Sequence, residues 1–229
     1  MEEHKLCHQT YTKINTLYKR DEKGNIVIGD FSLPEFKYLY NNKWLAFEKV
    51  DGTNMSFYWD GHEMQIHGKS ENASIPSILM DTMKTILTEE KLAEVFPIKY
   101  DENGNEVPFM VRIYGEGYGA KIQKCGGLYT RSGNDFRVFD IKINGFWLDW
   151  DNVVDITNKL GLKTVEPFGE MTLEEADDRP GASGSSLRVA HPGHRPELRA
   201  RMPGDGYRLR PGKARTRPVR RDDVRHEPR

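Results

Sequence analysis

Cysteine is scarce in this chain, and long apolar runs are absent from it. Cys7 and Cys125 are the two cysteines among 229 residues. Two isolated thiols exclude a disulfide framework and a cysteine-rich zinc site, and they fit a reducing compartment. No segment approaches the run of about 18 apolar residues that a membrane helix needs, and residues 1–10 lack the apolar centre of a signal peptide. The sequence therefore predicts a soluble, cytoplasmic protein without a membrane partner.

A second absence divides the chain in two. Beyond Asp178 there is no Ile, Phe, Trp or Asn, and Lys213 is the single lysine. Residues 1–178 carry 20 basic and 30 acidic side chains, a net charge of −10, whereas residues 179–229 carry 14 and 5, a net charge of +9. We therefore predict a folded domain over 1–178 and an irregular tail, rich in Arg, Pro and Gly, over 179–229.

Short apolar segments separated by turn residues run through the first region. Residues 44–50 and 55–59 predict two strands, and the Asp51–Asn54 connection between them is typical of a β-hairpin. Further strands are predicted over 63–67, 109–114 and 136–143, and helices within 77–96, after a cap at Asp151 and after a Thr172–Glu175 capping box. Strands grouped in this way, without strict alternation with helices, predict an α+β fold.

The strand predicted over 136–143 has a regular alternation. The period of two puts Arg137, Phe139, Ile141 and Ile143 on one face and Phe136, Val138, Asp140 and Lys142 on the other. Phe139 on such a strand fits an ordinary core residue as well as a ligand contact.

The segment Glu48-Lys49-Val50-Asp51-Gly52-Thr53-Asn54 places a lysine at the end of a strand, beside a tight turn. Such a lysine is a nucleophile when burial or neighbouring cations lower its pKa, because only the neutral amine attacks. Free N–H groups of the turn can bind a phosphate. The alternative is a solvated lysine next to a hairpin turn.

Four segments carry a family resemblance when they are taken in order. They are Glu48–Asn54, Gly68-Lys69-Ser70, Tyr114-Gly115-Glu116-Gly117 and Val138-Phe139-Asp140-Ile141. Over residues 11–176 the chain resembles the nucleotidyltransferase domain of ATP-dependent RNA ligases of the phage RNA ligase 2 type, within the superfamily of DNA ligases and mRNA capping enzymes. The resemblance implies an ATP-grasp-like ligase adenylation domain, with antiparallel sheets flanked by helices.

The resemblance also implies a reaction. Lys49 attacks the α-phosphorus of ATP, releases pyrophosphate and retains AMP on its side-chain nitrogen. The AMP then passes to the 5′-phosphate of an RNA, and a 3′-hydroxyl displaces it to seal the strand. Mg²⁺ or Mn²⁺ assists, and positioned positive charge supports each phosphoryl transfer.

Further roles follow from the same resemblance. Phe139 stacks on the adenine, Lys69 lies near the phosphates or the ribose, and Glu116 contacts the ribose and assists the metal. Glu48 and Asn54 help to hold the nucleotide, Asp51 supports the turn, and Asp140 is possible catalytic support. A solvated strand-end lysine and an exposed Gly-Glu-Gly turn are the structural alternatives for Lys69 and Glu116.

Cations outside these motifs are candidates for RNA backbone contacts, since phosphate binding needs only well-placed positive charge. They are Arg112, Lys121 and Lys124, and a solvated face is the alternative for each. The sequence gives no reason to expect an obligate protein partner.

The chain departs from the family pattern beyond residue 178, so the resemblance implies a C-terminally incomplete domain with impaired activity. Residues 204–211 only faintly resemble the next strand motif of the family. The tail also fits a disordered, arginine-rich extension that binds RNA nonspecifically, and an out-of-frame translation, which explains its composition best. The functional alternatives are a DNA ligase, a capping-type enzyme that uses GTP, and a silent nucleotide- or RNA-binding remnant.

Overall fold

Two large sheets and two small two-stranded sheets build the described part of the molecule, and the chain passes from one large sheet to the other directly after Lys49. The structure, a computed structural model, describes residues 11–70, 73–123, 129–178, 186–190 and 199–201. Most of the predicted tail, with the faint motif at 204–211, lies outside the described residues, and so do Cys7, Lys124 and Cys125. The predicted division at residue 178 therefore stays a prediction.

The described residues form fifteen strands and five helices. The strands are β1 (Asn15–Thr16), β2 (Tyr18–Arg20), β3 (Ile26–Phe31), β4 (Trp44–Lys49), β5 (Thr53–Trp59), β6 (Met64–Gly68), β7 (Lys99–Tyr100), β8 (Glu106–Val107), β9 (Val111–Gly119), β10 (Asn134–Ile143), β11 (Phe146–Trp147), β12 (Lys163–Thr164), β13 (Pro167–Met171), β14 (Ser186–Ala190) and β15 (Arg199–Arg201). The helices are α1 (Pro34–Tyr38), α2 (Ser77–Ile86), α3 (Glu89–Val95), α4 (Trp150–Lys159) and α5 (Leu173–Asp178).

Antiparallel pairing dominates both sheets. The six-stranded sheet has the order β11-β10-β9-β5-β6, with β12 paired to β10, and the five-stranded sheet has the order β1-β15-β14-β4-β13. The pairs β10–β12 and β1–β15 are parallel. Mixed helices and antiparallel sheets confirm the predicted α+β architecture.

The predicted hairpin over 44–59 is wrong, because β4 and β5 belong to different sheets. The connection between them crosses β9 so closely that a Cβ on Gly52 would lie 2.4 Å from the carbonyl oxygen of Gly117. Glycine is therefore needed at position 52 for a close backbone approach and not for a hairpin turn. The crossing puts Lys49 between the two sheets.

One face of the six-stranded sheet packs against α2, α3 and α4. Its core contains buried apolar residues from β5, β9, β10 and these helices, among them Phe57, Leu79, Ile113, Phe136 and Ile141. Burial of this face supplies most of the hydrophobic stabilisation of the sheet. The opposite face is turned toward β4 and carries polar side chains such as Glu116 beside a smaller buried apolar cluster that includes Phe47, Tyr114 and Phe139.

The predicted alternation along 136–143 fails after Val138. A β-bulge lies between Val138 and Asp140, so that Phe139 has no partner of its own on β9. The extra residue reverses the face of the sheet on which each following side chain lies. Ile141 consequently joins Phe136 and Val138 in the core instead of lying on the face of Phe139.

The Gly-Glu-Gly segment lies inside β9, so the exposed-turn alternative is wrong. A Cβ on Gly115 would meet the Phe136 ring at 2.2 Å, and one on Gly117 would meet Leu79 at 2.8 Å. These glycines let the core pack directly on the strand, while Glu116 between them points to the opposite face.

The helix predictions are confirmed with one change. Residues 77–96 form the two helices α2 and α3, and Thr172 and Glu175 form a capping box at α5, with hydrogen bonds of 2.7 and 3.0 Å. The cap of α4 is Asp149 and not Asp151, because its Oδ1 accepts from the N–H of Asn152. No helix in the described part is long and apolar enough to span a membrane.

Candidate active site

A cavity of about 430 Å³ lies between the two sheets, at the point where the chain crosses from β4 to β5. Six of the residues predicted for the site line it: Glu48, Lys49, Asn54, Lys69, Glu116 and Phe139. The remaining lining residues are Tyr11, Thr12, Lys13, Ile14, Val50, Gly52 and Val165. The structure thus brings residues from all four sequence motifs to one cavity.

Neighbouring strands fix the positions of the polar residues. Lys49 ends β4 and is half-buried, and it pairs with Ser186 of β14. Asn54 of β5 and Glu116 of β9 are direct cross-strand partners. Because side chains of such a pair share one face of a sheet, the amide and the carboxylate enter the cavity side by side.

An arginine that the sequence reasoning did not single out holds Glu48. Arg137 on β10 lies 3.8 Å from Glu48 and donates to Glu166 at 3.3 Å through the same Nη1 atom. Its Nε donates to the Tyr118 hydroxyl at 3.4 Å. Burial lowers the pKa of Arg137, but Tyr118, Glu166 and Glu48 outweigh it and raise the pKa, so the guanidinium stays charged. Arg137 thereby links the two sheets at the cavity wall.

The bulged Phe139 borders the cavity through an aromatic cluster. The Tyr11 ring stands edge-on to Phe139 at 5.1 Å, to Tyr114 at 5.0 Å and to Trp147 at 5.6 Å between ring centroids. The Tyr11 hydroxyl donates to Oδ2 of Asp140 at 2.5 Å. Asp140 is buried behind the lining, so it anchors Tyr11 instead of facing the cavity.

Asp51 is partly exposed and is not among the residues that line the cavity. Its backbone N–H donates to the Tyr129 hydroxyl at 3.2 Å, which ties the crossing segment to the loop before β10. Because the backbone makes this contact, the predicted role of the Asp51 side chain stays a prediction.

Cations and carboxylates meet around the cavity. Lys13, Lys49 and Lys69 line it together with Glu48 and Glu116. In the described part of the chain no cluster of three or more His, Cys, Asp or Glu side chains is arranged to hold a metal ion. Mg²⁺ usually binds one or two carboxylates together with substrate phosphates, and the Glu116 carboxylate in the cavity has the chemistry of such a ligand.

Sequence reasoning missed the wall made by residues 11–14. Tyr11 and Lys13 lie in an irregular segment before β1, where no periodic pattern marks a buried face. Of the cations predicted to contact RNA, Lys121 is exposed, whereas Arg112 is only 7% exposed, so a solvated face is the wrong account of Arg112.

Solved structures of Naegleria gruberi RNA ligase share this fold. A lysine-to-alanine variant with ATP and Mn matches with a TM-score of 0.56 and 16% identity, over 87% of this chain and 61% of that chain. A glutamate-to-alanine variant with AMP and Mn matches with a TM-score of 0.57 and 16% identity, over 87% of this chain and 58% of that chain. A structure with PPi matches with a TM-score of 0.55 and 16% identity, over 87% of this chain and 61% of that chain. The chain therefore spans about three fifths of the length of these proteins.

The comparison by sequence gives the family. No curated protein matches the chain. The family model described as RNA ligase matches residues 42–199, which include Lys49, Glu116 and Phe139 and extend past the change of composition at Asp178. Since the match covers more than half of the sequence, and the fold agrees with it, the chain belongs to the RNA ligase family.

Proposed function

We propose that this protein is an ATP-dependent RNA ligase of the phage RNA ligase 2 type that forms a covalent AMP adduct on Lys49. The observation that carries the proposal is the convergence of Lys49, Glu116 and Phe139, far apart in sequence, on one cavity between the sheets. Family membership and a fold shared with ATP-bound relatives support the same reaction class. The protein acts in the cytoplasm without an obligate partner.

ATP enters with its adenine against Phe139 and its phosphates toward the lysines. The Phe139 ring is held edge-on by Tyr11, so it is oriented before the base arrives. Lys69 and Lys13 on the rim neutralise phosphate charge. Arg137 fixes the position of Glu48. Glu48 and Asn54 then form polar contacts with the nucleoside.

Lys49 attacks in its neutral form. A bond forms between Nζ and the α-phosphorus while the bond from that phosphorus to the pyrophosphate oxygen breaks, and the proton of Nζ leaves to solvent or to a neighbouring base. Glu116 would hold Mg²⁺ or Mn²⁺, which would neutralise charge on the phosphates.

Two further transfers complete the sealing. The 5′-phosphate of the RNA displaces Lys49 from the adenylate and forms a 5′-5′ pyrophosphate linkage to AMP. The 3′-hydroxyl of the adjoining end then attacks that 5′-phosphate, loses its proton and releases AMP. Each step exchanges one phosphorus–oxygen or phosphorus–nitrogen bond for another, so no redox partner is needed.

Covalent labelling tests the proposal. The full chain is incubated with α-labelled ATP or α-labelled GTP and Mg²⁺, then denatured and examined for retained label. We expect labelling by ATP, loss of label in Lys49→Ala, and retention in Lys19→Ala, which removes an exposed lysine paired with Asp30. Label that persists in Lys49→Ala would refute the assignment of the nucleophile.

The same assay separates the alternatives. Labelling by GTP in preference to ATP would identify a capping-type enzyme, and no label from either nucleotide would identify a silent binding remnant. Offering the adenylated protein nicked RNA and nicked DNA in parallel distinguishes an RNA ligase from a DNA ligase.

A further inference from the structure

The segment before β1 crosses from one large sheet to the other along the cavity. Tyr11 packs against rings of the six-stranded sheet, whereas β1 pairs with β15 in the five-stranded sheet. Residues 12–14, between these two attachments, line the cavity and form no helix or strand. We call residues 11–14 the strap. Because no ladder of backbone pairs extends through the strap, we expect its position to depend on its two ends.

A hydrogen bond attaches one end of the strap to the six-stranded sheet. The Tyr11 hydroxyl donates to Oδ2 of Asp140 at 2.5 Å, and the two residues are 129 positions apart in the chain. Asp140 is only 5% exposed, so the acceptor lies in the protein interior, where hydrogen bonds are stronger than in water. A buried carboxyl group also needs donors, which favours the attached position of Tyr11 over a free one.

The attached ring of Tyr11 is a direct neighbour of Phe139. Only 8% of Phe139 is exposed, so the groups around it decide its orientation. The plane of the Tyr11 ring is inclined by 70° to that of Phe139 and by 83° to that of Trp147. Asp140 directly follows Phe139, at the end of the bulge in β10. Tyr11 is therefore held by the same part of β10 that carries Phe139, and loss of the hydrogen bond would free a ring that orients it.

A second tyrosine–aspartate pair in the molecule provides an internal comparison. The Tyr18 hydroxyl donates to Oδ2 of Asp177 at 2.8 Å, so donor and acceptor are of the same type as in the strap. Tyr18 is buried in the apolar cluster beside the five-stranded sheet, and neither Tyr18 nor Asp177 lines the cavity. This second bond therefore stabilises the fold away from the candidate active site.

We propose that Tyr11 and Asp140 are positioning residues of the nucleotide site, and that their hydrogen bond holds the strap closed over the bound nucleotide. The bond acts on the base through Phe139 and on the phosphates through Lys13, which lies on the strap and lines the cavity. Neither Tyr11 nor Asp140 takes part in phosphoryl transfer. The inference rests on the proposed function, because it requires the base to lie against Phe139. Asp140 thereby acts through Tyr11 and not on the reacting atoms.

Nucleotide affinity tests the strap without requiring catalysis. Binding of α,β-methylene ATP, whose α–β bridge cannot be cleaved to form an adduct, is measured by calorimetry on the full chain with Mg²⁺. Tyr11→Phe keeps the ring and loses the hydroxyl, so we expect its Kd to rise about two- to tenfold, the cost of ordering one freed side chain on binding. The rate of Lys49 labelling at saturating ATP should change by less than about twofold, since the hydroxyl does not touch the reacting atoms.

A double-mutant cycle tests whether Asp140 acts through Tyr11. Asp140→Asn keeps the size of the side chain but removes its charge and weakens the acceptor, so it should raise the Kd by a factor similar to that of Tyr11→Phe. When the two substitutions are combined, the second should add less than about twofold, because the bond between them is already lost. Fully additive losses would give Asp140 a separate contact with the nucleotide and would overturn the role assigned to it.

Tyr18→Phe is the matched control, because it removes the same kind of hydrogen bond outside the cavity. We expect a lower melting temperature for this variant but a change in Kd of less than about twofold. Thermal melting of each variant confirms that it is folded at the temperature of the binding measurement. A rise in Kd as large for Tyr18→Phe as for Tyr11→Phe would show that the Tyr11 hydroxyl contributes only to general stability.

Binding and labelling together separate this inference from the proposed function. An unchanged Kd in Tyr11→Phe would overturn the strap even if Lys49 is labelled by ATP. If the wild type binds the analogue but is not labelled by ATP, and Tyr11→Phe binds the analogue more weakly, the strap stands and the proposed ligase activity fails. A wild type that binds neither the analogue nor ATP would refute both.

Discussion

The two faces of the six-stranded sheet differ in chemistry although the same strands build both. On the helical face, β9 and β10 contribute glycines and apolar side chains such as Gly115 and Phe136, which pack in direct contact. On the cleft face they contribute Glu116, Arg137 and Phe139. Because side chains alternate along each strand, one residue packs in the core and its neighbour faces the cleft. Substitutions of neighbouring residues should therefore affect stability and activity to different extents.

The largest expected effect is on the helical face. Phe136→Ala removes a fully buried ring that contacts Phe57 edge-on at 5.1 Å, and it should lower the free energy of unfolding by about 3–5 kcal/mol. Phe139→Ala should cost less stability, because this ring borders an open cavity, but it should weaken labelling of Lys49 at low ATP. Urea unfolding and the labelling assay measure the two effects. Equal losses of stability would contradict the division between the faces.

A smaller effect is expected where the cleft face meets the other sheet. Arg137→Gln removes the charge that pairs with Glu48 at 3.8 Å, so labelling of Lys49 at subsaturating ATP should fall about fivefold, as for the loss of an ion pair worth about 1 kcal/mol. We expect the apparent KM for ATP to rise more than the maximal rate falls, since Arg137 acts through Glu48. Arg137→Lys should restore part of the activity. Unchanged kinetics would mean that Arg137 is only a structural link between the sheets.

Acid should lower the folding stability of the protein through Asp135, which lies on the cleft face of β10. Burial raises the pKa of this carboxyl, but hydrogen bonds from Lys163 and the Phe136 N–H outweigh it, so the pKa lies below the usual Asp value. Its contribution to stability is therefore present above about pH 4 and lost as the pH falls through the lowered pKa. Melting temperatures measured between pH 7 and pH 2 should show this loss in the wild type and a flatter profile in Asp135→Asn. Parallel profiles would contradict it.

The smallest effect is expected away from both faces. Lys19 and Asp30 form a 2.8 Å ion pair on the β2–β3 hairpin, and both side chains are at least half exposed. Asp30→Asn should change the free energy of unfolding by no more than about 1 kcal/mol, and the change should shrink in high salt. Chemical denaturation at two salt concentrations provides the measurement. A larger loss of unfolding free energy would show that this exposed ion pair contributes more to stability than solvent-exposed pairs usually do.

Local patterns in the sequence predicted the helices, and the motifs of the family resemblance supplied, as predicted site residues, six of the thirteen residues that line the cavity. The apolar periodicity over 77–96 and the Thr172–Glu175 capping box need only near neighbours, so both predictions are confirmed. The hairpin over 44–59 is wrong because the sheet that receives each strand is decided by distant partners. The faces predicted for the residues of β10 after Val138 were wrong because nothing in the local sequence marks the bulge. Arg137 was overlooked because its partner Glu48 lies on another sheet.

The bulge at Phe139 has a consequence for how this cleft could arise and change. Pairing between β9 and β10 is regular on both sides of it, from Asn134 to Val138 and from Asp140 to Ile143. A strand without residue 139 could therefore keep every flanking pair and its whole packed face. The ring proposed to select the base is, in genetic terms, a one-codon insertion. Gain or loss of a nucleotide pocket in this architecture could accordingly occur by a single three-base event, with the core left intact.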